Sequence, residues 1–125
     1  MSDLKRLEVK YVRDRAKSRY EKGPVCEICN TTSELQFHHL HTVDLLWDRW
    51  KRKNKIQIDS TDDILRVRDD FIAEHEYELY TAVATLCKDC HNNKLHKVYG
   101  QKPALATAEK QRRWIDKQAT KHREK

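Results

Sequence analysis

The sequence predicts a mixed α+β fold, a core flanked by helices at both ends and interrupted by a helical insertion. Three observations predict it. All four cysteines fall in two spaced pairs, Cys26-x-x-Cys29 and Cys87-x-x-Cys90, which tie two distant stretches together. Residues 35–40 alternate as a short strand between those pairs. Elsewhere, apolar residues recur at three- and four-residue steps. With 125 residues, 38% hydrophobic and 37% charged, the chain has one domain's length and a lean core, a situation in which a structural metal often helps.

Taken in order, Ser2 can cap a first helix with Leu4, Leu7, Tyr11 and Ala16 along one side, ending before Gly23-Pro24. Residues 7–11 also alternate like a strand, so both assignments stay open there. Gly23-Pro24 breaks the chain and delivers it into the first cysteine turn. Residues 30–33 form a turn, and Leu35-Gln36-Phe37-His38-His39-Leu40 is the strand. Val43, Leu46, Trp47 and Trp50 make a helical stripe that fades into the basic run after it. Ser60 or Thr61 caps the next helix, where Asp62 and Asp63 suit the positive end of the helix dipole. Ile64, Val67, Phe71, His75 and Leu79 mark one buried face of a long helix, with His75 a packed histidine rather than a ligand. Residues 91–98 form a short helix closed by Gly100 and Pro103. Residues 104–122 form the last helix, with Leu105, Ala108, Ile115 and Ala119 inside. Pro103 separates an extension from a core, so residues 1–125 read as one domain with a helical insert at about 42–84.

Charge is distributed unevenly. The net charge is +6, with eight basic residues against four acids in 1–22, five against none in 49–55 and seven against two in 110–125. Residues 59–78 carry eight acids against Arg66 and Arg68. Such polarity suits a protein that grips a polyanion on one side, although solvated helix faces produce similar runs. No apolar run approaches transmembrane length, and MSDLKRLEVK lacks a signal peptide's apolar stretch. A soluble, cytoplasmic protein without membrane contact is the expectation.

In a cytosolic chain, paired cysteines point to a metal rather than disulfides. Zinc takes four tetrahedral thiolates, and a two-residue spacer presents two sulfurs from one turn. A redox pair, or cysteines unrelated to one another, are the alternatives. A zinc site joining Cys26, Cys29, Cys87 and Cys90 also gathers two histidine clusters, 38–41 and 91–96. Neutral imidazole binds divalent metals, and an unligated histidine serves as a base near neutrality. A metal with open positions, a nearby base and a positive surface are the parts that phosphodiester hydrolysis requires. The plainer alternative is that these histidines are spare zinc ligands or polar neighbours of a zinc knob.

The pattern Cys-x-x-Cys, His-His on a strand, then Leu-Cys-x-x-Cys-His opening a helix resembles the zinc-containing branch of the HNH (ββα-metal) endonucleases. It is similar, too, to phage recombination and homing-type nucleases. The resemblance covers about residues 24–98. It implies a zinc-stabilised, treble-clef-like ββα-metal core and metal-dependent hydrolysis of DNA to 5′-phosphate and 3′-hydroxyl ends. His38 and His91 match ligands of a catalytic Mg²⁺, Mn²⁺ or other divalent ion, and His39 matches the general base. His41 and His96 are candidates for phosphate or metal contacts. The substrate expected is DNA, double-stranded or else branched or nicked, and the three basic patches would hold its backbone. A phage-encoded enzyme acting in a bacterial host fits this resemblance.

Two departures stand out. Ala82, beside Thr81, occupies the place of the family's middle asparagine. Position 95 is leucine, and the second helix histidine comes one residue later, at His96. Five residues turn an α-helix by about 140°, so His91 and His96 are expected to diverge. The rival to an enzyme is a non-catalytic zinc module that binds DNA or a protein partner. A further variant keeps the enzyme and makes RNA or a branched junction its substrate.

Overall fold

A 43-residue excursion separates the two strands that build the site. The computed structural model describes residues 2–124. Strand β1 (Leu35–His39) pairs antiparallel with β2 (Val83–Cys87), Leu35 opposite Cys87 and His39 opposite Val83, and residues 40–82 run between them. Before β1 comes helix α1 (Ser2–Ala16), and between the strands lie α2 (Val43–Asn54) and α3 (Thr61–Glu74). After β2 the chain winds as a π-helix, Asp89–Leu95, which runs on into the α-turn α4 (His96–Tyr99). Helix α5 (Ala108–Arg123) closes the chain. The architecture is a small α+β fold with one two-stranded antiparallel sheet among helices.

The first helix of the insert follows its sequence periodicity, and the second follows it only in part. Val43, Leu46, Trp47 and Trp50 are the buried stripe of α2, and the helix continues through the basic run until Lys55 stops it in a left-handed conformation (φ 54°). Ser60 caps α3, its hydroxyl accepting from the Asp63 N–H. The long helix expected through Leu79 instead ends at Glu74, and a π-turn (Tyr77–Thr81) carries Leu79 back into the core. His75 is packed as expected, stacked on Phe71 with Nδ1–H donating to the Phe71 carbonyl.

Two apolar clusters divide the interior. One gathers Cys26, Ile28, Leu86, Leu95 and Ile115 around the hairpin and α5; the other joins Val12, Trp47, Trp50, Phe71 and Leu79 from α1 and the insert. Helix α1 settles the open assignment at 7–11 as helical, but its innermost line is Glu8, Val12 and Ala16 rather than Leu4, Leu7 and Tyr11. The reason is a buried carboxylate: Glu8 accepts from Trp47 Nε1 (2.9 Å) and from Lys51, which compensates its desolvation. The side chain of Ser2, the expected cap, lies outside the described residues. The last helix starts four residues later than expected, after a 3₁₀ turn at Leu105–Thr107. No described helix is long and apolar enough to cross a membrane.

Candidate active site

Two turns bring the four thiols together. In the first, Cys26 N–H donates to Thr31 O and Asn30, at φ 63°, returns its N–H to Cys26 O. In the second, the end of β2 meets the π-helix, and Cys90 N–H donates to Cys87 Sγ (3.4 Å). All four sulfurs lie within 4.8 Å of one another, with Cys29 and Cys87 Sγ 3.7 Å apart. Thiolates about 2.3 Å from one tetrahedral ion stand about 3.8 Å apart, so the cluster has the dimensions of a closed metal site, and zinc is compatible with it. Burial pushes the Cys90 thiol well up, whereas at Cys26 burial is outweighed by backbone N–H groups of Cys29, Cys87 and Ile28, which hold it at about 7.

On the other side of the hairpin, three imidazoles converge. His38 Nδ1 lies 3.0 Å from His91 Nε2, and His96 Nε2 lies 3.0 Å from the same atom. Each ring spends its other nitrogen on an oxygen. His38 Nε2–H donates to Gln111 Oε1 (2.7 Å), His91 Nδ1–H to Gln36 Oε1 (2.7 Å), and His96 Nδ1–H to the Gly100 carbonyl (2.6 Å). The lone pairs of His38 Nδ1 and His91 Nε2 therefore face one another with no proton between them, and His96 Nε2 is turned to the same spot. Burial holds His38 and His91 at about 4, so protonation does not relieve this at neutral pH. Nitrogens about 2.1 Å from a shared ion stand about 3.0–3.4 Å apart. The donor set fits a divalent cation.

His96 is the correction. The expected divergence from His91 assumed α-helical winding, but the His96 N–H bonds to the His91 carbonyl in a five-residue step. A π-helix stacks residues i and i+5 where an α-helix would splay them. His41 does not join the cluster. It faces Tyr77 (ring centroids 6.4 Å), and burial lowers its pKa, opposed by Glu78 and reinforced by Arg49.

Strand alternation separates His39 from His38. Gln36 and His38 face the π-helix, while Phe37 and His39 face Tyr20, which stacks on Phe37 at 4.4 Å and meets His39 edge-on at 5.0 Å. His39 Nε2–H donates to the Leu79 carbonyl (3.2 Å), leaving Nδ1 as the basic nitrogen. That carbonyl comes from the π-turn ahead of Ala82, so a main-chain group braces the ring. Burial, then the Arg13 charge, push His39 down to about 4. A cleft of about 300 Å³ exposes both faces of the strand's end, lined by His38, His39, His91 and His96 with Arg13 and Tyr20. Sequence reasoning missed Gln36, Gln111, Arg13 and Tyr20. Gln111 alone left a signal: it fills the empty slot in the stripe Ala108, Ile115, Ala119.

Among the described residues, the fold and its clusters define a small α+β protein with two side-chain groups, four thiols and three imidazoles, that could each hold a metal ion. A family model for phage T5 nicking endonucleases, the nicking endonuclease family, matches residues 2–124. The chain belongs to that family and is a DNA-cleaving nuclease, which sets the non-catalytic module aside. No solved structure matches the chain.

Proposed function

We propose that the protein nicks duplex DNA through an HNH-type (ββα-metal) centre in which His38, His91 and His96 hold one divalent ion and His39 is the general base. In this reading Cys26, Cys29, Cys87 and Cys90 hold a structural zinc, and residues 24–98 are a single core into which 42–84 is inserted. The observation that carries it is the convergence of three imidazole nitrogens beside a fourth, independently held histidine in the same cleft. When bound, Mg²⁺ or Mn²⁺ would supply positive charge to a phosphate oxygen and to the departing 3′ oxygen.

The chain's own residues account for the remainder. His39 is neutral at pH 7, the form able to accept a proton at Nδ1 from an attacking water. A phosphate anion in the cleft favours the imidazolium that results, lifting the depressed pKa towards neutrality. Arg13 stands at the cleft's edge, its guanidinium 3.2 Å from Asp44, and with the basic turns of α1 it offers charge to the backbone. The products are 5′-phosphate and 3′-hydroxyl ends in one strand.

The test is a plasmid-nicking assay with metal counting. Wild type should hold one tight zinc and one exchangeable Mn²⁺. His39→Ala should keep both and slow nicking by about 10²–10⁴-fold, the scale of lost general-base catalysis. A folded H39A protein that nicks at the wild-type rate overturns the assignment.

A further inference from the structure

We propose that Gln111, on the C-terminal helix, is a positioning residue that fixes His38 with its proton on Nε2 and so presents the Nδ1 lone pair to the ion. The inference rests on reading His38, His91 and His96 as ligands. A chain of hydrogen bonds, each with a determined direction, runs from the backbone through Gln111 to His38.

The chain starts at a carbonyl, which can only accept. Thr107 Oγ1 donates its proton to Ala104 O (2.6 Å), so toward Gln111 that oxygen can only accept. Gln111 Nε2 lies 3.0 Å from Thr107 Oγ1 and 3.0 Å from the Leu40 carbonyl, and both of its protons are spent on these two acceptors. The amide cannot be reversed without setting its oxygen against Leu40 O. Its Oε1 therefore faces His38 Nε2 at 2.7 Å, and an amide oxygen there requires an N–H on the ring. Nδ1, 3.0 Å from His91 Nε2, is left bare.

Burial makes the arrangement stringent. Gln111 is fully buried and His38 is 4% exposed, so water cannot replace the acceptor, and a ring without it would leave a polar N–H orphaned. Outer-shell acceptors on ligating histidines orient the ring and raise its basicity. The next residue, Arg112, donates to Glu27 Oε1 (2.8 Å), and Glu27 Oε2 accepts from Thr85 N–H. Two consecutive residues of α5 thus reach the imidazole cluster and the first cysteine turn.

The experiment uses the full-length, zinc-loaded chain as wild type, Gln111→Leu and Gln111→Glu. Long-range ¹H–¹⁵N spectra of the rings report the His38 tautomer without Mn²⁺, and calorimetry reports Mn²⁺ affinity. Wild type should show His38 protonated at Nε2 with a slowly exchanging proton. In Q111L that protection should vanish and Mn²⁺ affinity should fall roughly 10–100-fold, with one zinc retained and the far-UV spectrum unchanged. Q111E in its protonated form keeps an acceptor for His38 and a donor for Leu40 O, and should lose less Mn²⁺ affinity than the roughly 10–100-fold expected for Q111L. Protonation of wild-type His38 at Nδ1, or a folded Q111L with wild-type affinity, overturns the proposal. Should Q111L not fold, the wild-type tautomer and Q111E decide it. If wild type shows the Nε2 proton yet takes up no Mn²⁺, the metal reading fails while Gln111's hold on the ring stands.

Discussion

The four-thiol cluster and the three-imidazole cluster draw on the same two stretches of chain, yet they are finished in opposite ways. Cys90 and His91 are adjacent in sequence and point into different clusters. Around the sulfurs the protein supplies donors, as in Cys90 N–H to Cys87 Sγ. Around the imidazoles it supplies acceptors: Gln111, Gln36 and Gly100. A thiolate is negative and needs N–H groups, whereas a neutral imidazole needs its spare N–H taken so that its lone pair points inward. The thiol set is also complete, with four ligands for a tetrahedral ion. The histidine set has three and opens onto a cleft. A closed set suits scaffold and an open one suits chemistry.

Breaking the closed set should have the largest effect. On the proposed reading of the thiols as a structural zinc site, Cys87→Ser is expected to abolish cooperative thermal unfolding measured by circular dichroism, because binding energy at such a site is folding energy. A variant melting like wild type would detach the thiols from the fold. Next comes His96→Ala against His41→Ala. The first should weaken Mn²⁺ binding beyond the roughly 10–100-fold that loss of an outer-shell partner costs, while H41A should leave calorimetric affinity unchanged. Equal effects would mean that the π-helix gathers nothing of use.

That contrast also marks how far the sequence is legible. The cysteine turns could be read because two-residue spacers act locally, and the alternation of His38 and His39 follows from strand geometry. The helices of the insert declare themselves through Leu46, Trp47, Trp50 and Phe71. His96 could be named as a candidate contact, but its convergence with His91 could not, because the π-winding over 89–95 that brings it round is a rare local geometry. The burial of Glu8 leaves no local sign in the sequence, since its partners Trp47 and Lys51 lie about forty positions away. Gln111 was half-legible: a polar residue in a buried slot declares a partner without naming it.

Acid should separate the two faces of β1 more gently. Burial sets His38, His39 and His91 at about 4 when folded, against about 6.5 unfolded. Between those values the unfolded chain binds more protons, so stability rises with pH through this window and is lost as pH falls from about 6.5 to about 4. His39→Gln removes one such group. The stability gap between wild type and H39Q, from urea midpoints, should shift against wild type as pH drops. A pH-independent gap would mean that His39 is not buried in its neutral form.

The smallest effect compares two glutamines doing one job. Gln36 and Gln111 each take the spare N–H of a cluster histidine at 2.7 Å, but Gln36 is only half-buried while Gln111 is sealed in. With Gln36→Leu, water can reach His91 Nδ1–H and take the vacated place at little cost. Mn²⁺ affinity should therefore fall by less than about tenfold, well short of the loss expected for Q111L. Equal losses would show that the identity of the acceptor matters more than its isolation from solvent. A larger loss for Q36L would make His91, not His38, the ring whose orientation limits the site.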